Sequence, residues 1–174
     1  MLTETPLPLP ELARFHNQDG AGPLAPETTE LAPGLFLNAD PNLGLSGSWR
    51  SPPGRLLELE ARAASRGEWI ALHLALPLSG LQDLTYLGYA CRAAGPKPWM
   101  IRPCLRSGLE DGGFTDTFFG KHILTTERPA SHLDALYLDS CPELPLAAPW
   151  RELVMFLPCE DFRIYLHHLY IFAL

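Results

Sequence analysis

Residues 55–62 have the sequence RLLELEAR, and this stretch decides the fold class. Apolar and charged residues alternate along it, in the order Leu57, Glu58, Leu59, Glu60, Ala61 and Arg62. Side chains of a β-strand point alternately to the two faces of its sheet, so one face of this segment is apolar and the other is charged. The pattern predicts an antiparallel strand with one face buried and the other in water.

The next segment, residues 68–77 (EWIALHLALP), predicts a central strand because both of its faces are suited to burial. One face carries Ile70, Leu72, Leu74 and Leu76, and the other carries Trp69, Ala71, His73 and Ala75. Six more strands are predicted at 84–92, 99–106, 121–126, 133–138, 152–157 and 161–172.

Eight short strands separated by turn-rich gaps, without an amphipathic helix of ten or more residues, exclude a doubly wound α/β fold. They favour an all-β antiparallel sandwich or jelly roll over residues 34–174. Residues 1–33 contain six prolines and are predicted to form an extended proline-rich N-terminal arm, with one helical turn near residues 10–15.

The strand pattern also predicts which side chains form the core. The predicted core residues are Leu57, Leu59, Ile70, Leu72, Leu74, Val154, Phe156, Ile164 and Leu166. Among the tryptophans, we expect Trp69 and Trp150 in the core, and Trp49 and Trp99 to be more exposed.

Length and composition predict one folded domain: 174 residues, of which 47% are hydrophobic and 19% are charged. The net charge of −7 argues against nucleic acid as a partner, because that binding depends on many lysines and arginines. There is no polybasic run for an anionic membrane and no basic n-region of a secretory signal at the N-terminus. We therefore expect no membrane partner and a cytoplasmic location.

The residue types that hold metals or carry out covalent catalysis do not occur in the usual motifs. The four cysteines (Cys91, Cys104, Cys141 and Cys159) form no C-x-x-C pair, so we expect free thiols and no zinc. His167 and His168 are adjacent on a predicted strand and point to opposite faces. No cofactor, metal or catalytic residue is predicted, and an enzyme is the third choice among the functions considered.

The candidate ligand-binding residues are Trp99, Arg102, Arg106, Asp116, Lys121 and His122. Arg102 and Arg106 have an even spacing and share one face of a predicted strand, where they bind a ligand together with Arg92 or pair with surface acids such as Glu110 and Asp111. Residues 112–122 (GGFTDTFFGKH) combine glycine, aromatic and polar groups. They form either a binding loop or a bulged connection whose phenylalanines fill the edge of the core.

The segment from Arg55 to Phe172 resembles the galactose-binding-like β-sandwiches, which include many carbohydrate-binding modules. The resemblance is carried by the central strand that begins at Trp69, the step from Leu81 to Leu84, Arg92, and the strand with Pro103 and Arg106. It is also carried by the closing strand, residues 162–169 (FRIYLHHL), with Phe162, Ile164, Leu166 and Leu169. It implies noncatalytic glycan binding and a saccharide partner.

Two functions therefore remain open. The first is a noncatalytic carbohydrate-binding domain, with its ligand near Trp99, Arg102 and Arg106. The alternative is a protein-interaction or assembly domain without a small-molecule ligand, which forms a homo-oligomer and packs its proline-rich arm on a partner subunit.

Overall fold

The computed structural model describes residues 5–174, in which fourteen strands, one α-helix and two 3-10 helices follow one another. In chain order they are β1 (Thr5–Pro6), α1 (Pro10–His16), β2 (Ala21–Pro23), β3 (Thr28–Ala32), β4 (Leu35–Ala39), a 3-10 helix (Pro41–Leu43), β5 (Leu45–Arg50), β6 (Leu57–Ala63), β7 (Ile70–Leu76), β8 (Tyr86–Ala94), β9 (Met100–Gly108), β10 (Phe114–Phe118), β11 (Ile123–Leu124), β12 (Ala130–Tyr137), a second 3-10 helix (Leu138–Ser140), β13 (Arg151–Phe156) and β14 (Phe162–Ala173). Within this part of the chain no helix is long and apolar enough to cross a membrane.

The strands form two antiparallel sheets. Sheet A has the order β12-β8-β14-β6-β5-β2, and β1 also pairs with β14. Sheet B has the order β10-β9-β13-β7-β4-β3, and β11 also pairs with β9. The predicted all-β antiparallel sandwich is confirmed, whereas the jelly-roll alternative stays a prediction.

Each of the eight predicted strands overlaps an observed one, although 121–126 shortens to the two residues of β11. The strand β7 lies between β13 and β4, as predicted for a central strand. Both of its faces are buried at Ala71, Leu72 and His73. The alternation in β6 likewise places Leu57 and Leu59 in the core.

The sequence pattern missed strands β1 to β5 and strand β10. In β5 the alternation is interrupted by Gly47, which has a φ of +134°. A Cβ at this position would lie 2.0 Å from the carbonyl oxygen of Glu60, so a glycine is needed for β5 to pair with β6.

An extended arm over residues 1–33 is not confirmed by the described part of that segment. The predicted helical turn is present as α1, which begins at Pro10 and buries Leu12 and Phe15 in the core. Strands β2 and β3 then join the edges of sheets A and B. Although this segment contains six prolines, burial of its apolar residues against the sandwich stabilises a packed conformation.

The core between the sheets contains most of the predicted residues, but the prediction for β13 chose the wrong face. Leu153 and Met155 point into the core, whereas Val154 is buried in a small separate cluster with Ala71 and Cys104. Phe156 is only half-buried and packs against that separate cluster, so its assignment to the core was wrong. Shifting by one residue along a strand exchanges the two faces.

We predict that Leu72→Ala lowers the free energy of unfolding by about 2–5 kcal/mol, because Leu72 is buried between the sheets and its loss leaves a cavity. Leu133→Ala is the matched control, since Leu133 is 59% exposed on β12 and its loss should cost less than about 0.5 kcal/mol. Urea denaturation of the three proteins measures both values. Equal destabilisation by the two substitutions would contradict this assignment of the core.

Candidate ligand-binding face

The outer face of sheet B carries arginines and phenylalanines on adjacent strands. On β9, Arg102 and Arg106 point outward on either side of Cys104. The residues paired with them across the sheet share this face. We call the surface formed by Arg102, Arg106, Phe114, Asp116, Phe118 and Phe156 the arginine–phenylalanine face.

Arg106 is fixed on this face by a two-point ion pair with Asp116. Its Nε and Nη2 each donate a hydrogen bond of 2.7 Å to a different oxygen of the Asp116 carboxylate. Because Arg106 donates these hydrogen bonds to Asp116, the pKa of its guanidinium is raised and the group stays charged. The same guanidinium lies 3.9 Å from the ring centroid of Phe114. Arg106 therefore pairs with Asp116 rather than with Glu110 or Asp111.

Arg102 is held by an aromatic ring. Its guanidinium lies 3.7 Å from the ring centroid of Phe118, a distance at which a cation is attracted to the face of the ring. Within residues 5–174 it makes no ion pair. The ring of Phe118 is 6.1 Å from that of Phe156, so the two aromatic side chains extend the apolar surface from β10 toward β13.

The face continues toward β4 through His73 and Phe36, which were not predicted. His73 Nδ1 lies 2.8 Å from a carboxylate oxygen of Glu152, and its ring stacks on Phe36 at a centroid distance of 4.6 Å. The sequence could have indicated that His73 lies on this face, because it alternates with the leucines of its strand and shares the other face with Ala71 and Ala75. Its partner Phe36 lies in a strand that the pattern did not detect.

Small or fully buried residues form the floor beneath these side chains. Ala71, Cys104 and Val154 occupy the centre, and burial raises the pKa of the Cys104 thiol to about 12. At one end the indole of Trp150 covers Gly108, where a Cβ would lie 2.3 Å from the indole Nε1. Trp150 is exposed at this end of the face, so its assignment to the core was wrong.

Trp99 does not belong to this face. It is only 7% exposed, which corrects the prediction of an exposed ring, and Thr125 Oγ1 accepts a hydrogen bond from its backbone N–H. The connection between β8 and β9, residues 95–99, does not form a β-hairpin, because β8 belongs to sheet A and β9 to sheet B. The chain crosses between the layers there, and the ring is enclosed.

The other predicted residues are divided between the two sheets. Lys121 is exposed between β10 and β11, where its backbone N–H donates to Asp134 Oδ2 at 2.7 Å and so links it to β12 of sheet A. His122 is exposed in the same connection. Arg92 lies on β8 of sheet A, so the structure does not bring it to Arg102 and Arg106.

No family model and no curated protein matches the chain. Several solved structures share its fold. A Stig cyclase from Fischerella sp. TAU, in complex with (3Z)-3-(1-methyl-2-pyrrolidinylidene)-3H-indole, has a TM-score of 0.59 at 13% identity, over 99% of this chain and 98% of the cyclase.

Two carbohydrate-binding modules are also similar. The family 11 module of a cellulosomal cellulase from Clostridium thermocellum has a TM-score of 0.56 at 10% identity, covering 100% of this chain and 96% of the module. The CBM22-1 xylan-binding domain from Paenibacillus barcinonensis has a TM-score of 0.51 at 9% identity, covering 91% and 90%. The chain therefore shares the β-sandwich fold of these modules and of the cyclase, and the galactose-binding-like subtype stays a prediction.

We predict that Cys91 and Cys104 resist alkylation in the folded protein. Burial raises the pKa of both thiols to about 12, so at pH 8 only about one in ten thousand is a thiolate. The half-buried Cys141 should react first with a maleimide or with Ellman's reagent. After unfolding without reductant all four thiols should titrate, and a smaller number would contradict the prediction of free cysteines.

Proposed function

We propose that the arginine–phenylalanine face binds a neutral carbohydrate chain without catalysing a reaction. The observation that carries this proposal is the alternation of phenylalanine rings with guanidinium and carboxylate groups on one side of a sheet. Ring faces pack against the apolar C–H surface of a sugar, while charged groups exchange hydrogen bonds with its hydroxyls. The similarity in fold to carbohydrate-binding modules supports the same function.

The charges on the face favour a neutral ligand. Arg102 and Arg106 are balanced by Asp116 and Glu152, which lie on the same side of the sheet. A ligand that carried its own net charge would gain little from a balanced surface. Hydroxyl groups suit this face because they can donate hydrogen bonds to the carboxylates and accept them from the guanidiniums.

The length of the face favours a chain over a single sugar. One unbroken row of paired residues crosses five strands, from Phe118 on β10 through Cys104, Val154 and His73 to Phe36 on β4. At about 4.8 Å between strands, this row is roughly 19 Å long. Several sugar rings in sequence would be needed to cover it.

We predict that Phe118→Ala and Arg102→Gln weaken the binding of an oligosaccharide about three- to tenfold, by removing a stacking surface and a hydrogen-bond donor. Both side chains are exposed, so neither substitution should unfold the protein. Tyr170→Ala is the control, because Tyr170 is 57% exposed on sheet A. Calorimetry with neutral xylo- and gluco-oligosaccharides measures the affinities, and circular dichroism checks the fold.

Two results would count against the proposal. One is a complete lack of binding across neutral oligosaccharides of several linkages. The other is binding that Tyr170→Ala weakens and the two sheet B variants leave unchanged. Because Trp99 is buried, Trp99→Ala is expected to lower stability through lost burial and does not test the ligand face.

Assembly is the second candidate function, and one feature of sheet A favours it. Large exposed side chains are grouped on its outer face: Tyr86, Leu133, Tyr137 and Tyr170. Exposed apolar patches are typical of interaction surfaces. Light scattering of the intact chain distinguishes the two functions, since a dimer that Tyr137→Ser dissociates supports assembly and a monomer at every concentration argues against it.

A further inference from the structure

The outer face of sheet A carries an apolar patch on three adjacent strands, β12, β8 and β14. Alternate residues of β8 point into the core, since Leu87, Tyr89 and Cys91 are buried there. The residues between them, and those paired with them across the sheet, therefore share the outer face. We call the surface formed by Tyr86, Gly88, Ala90, Leu133, Ala135, Tyr137, Tyr170 and Phe172 the sheet A patch.

The residues of the patch are of the kind found at the centres of protein interfaces. Leu133 and Tyr170 are both exposed and flank the small Ala90 in one cross-strand row. In the next row the ring of Phe172 covers Gly88, where a Cβ would lie 2.2 Å from the ring. Interface centres are enriched in tyrosine and depleted in lysine and glutamate, so this composition fits a protein partner.

Charged groups of opposite sign stand at the two ends of the patch. At one end Arg92 continues β8 beyond Ala90 and is exposed. At the other end Asp139 follows β12 and accepts a hydrogen bond of 3.0 Å from the hydroxyl of Tyr137. Within residues 5–174 neither charged group makes an ion pair, so both can pair with a partner.

The free edge of β12 is blocked, which favours contact through the face of the sheet. The carbonyl oxygen of Leu133 accepts a hydrogen bond of 3.4 Å from Lys121 Nζ, and the N–H of Ala135 donates one of 2.9 Å to Asp134 Oδ1. A second strand that paired with this edge would have to displace both side chains.

We propose that the sheet A patch binds a second copy of this chain face to face, with the strands of the two copies antiparallel. The two-fold axis then lies between the sheets and perpendicular to the strands, so it exchanges the two ends of the patch. Arg92 of each copy meets Asp139 of the other. A two-fold axis along the strands would instead bring Arg92 against Arg92, which like-charge repulsion disfavours. This proposal rests on the assembly function and specifies its partner and geometry.

The size of the patch predicts a weak dimer. Three strands about 4.8 Å apart and a span of six residues at about 3.4 Å each give a footprint of roughly 300 Å². Stable interfaces bury about 800 Å² on each partner, so the patch forms only the apolar centre of the contact. We expect a Kd of about 10–500 µM.

The test reverses the two end charges of the patch. Arg92→Asp and Asp139→Arg each bring like charges together across the two-fold axis and should raise the Kd of the dimer by about tenfold or more. The double variant restores both ion pairs with their signs exchanged, and its Kd should return to within about threefold of the original value. Arg66→Asp is the matched control, because Arg66 is exposed in the loop between β6 and β7.

Sedimentation equilibrium of the intact chain, from about 10 µM to about 1 mM, measures these constants, and circular dichroism checks the fold. A dimer that the single reversals leave intact, or that the double variant does not restore, would overturn this arrangement and leave assembly through another surface. A chain that stays monomeric throughout would overturn both the arrangement and the assembly function. Failure of neutral oligosaccharides to bind sheet B would leave the proposal unaffected.

Discussion

The structure depends on one constraint, which is that the central strands of sheet B must bury one face of each strand against sheet A. Leu72 on β7, Leu105 on β9 and Met155 on β13 all point into that shared core. Burial of side chains of this size contributes about 1.5–3 kcal/mol each. Since side chains alternate, the same burial forces the intervening residues outward and gathers them on one surface.

That constraint explains why polar and aromatic groups meet on sheet B although they are far apart in the sequence. Residues 36, 73, 106, 116 and 156 come from five strands and are brought together only by the register of the sheet. The small floor residues Ala71, Cys104 and Val154 leave room for the larger side chains to lie over them. The position of the face is thus a consequence of the core, while its chemistry is set by residues that the core does not restrict.

The sequence was sufficient for the fold class, because the alternation in β6 and β7 has a direct geometric meaning. It was not sufficient for the face of β13, since residues 152–157 (ELVMFL) are apolar at nearly every position and period two cannot choose between the faces. Glu152 points to the same face of the strand as Val154 and Phe156, so its charge could have indicated that this face lies outside the core. Arg106 and Asp116 were both predicted as site residues, but their pairing required knowledge that β10 lies beside β9. Trp99 was misplaced because the turn before it crosses between sheets.

The outer face of sheet B is long and its charges are balanced, which is why we propose a neutral, chain-like ligand for it. The measurement that tests the central claim most directly is a set of intermolecular nuclear Overhauser effects between the protein and a bound neutral oligosaccharide. We expect contacts from the ring protons of Phe114, Phe118 and Phe156 to sugar C–H groups. Contacts from the tyrosines of sheet A, with none from these phenylalanines, would contradict the account.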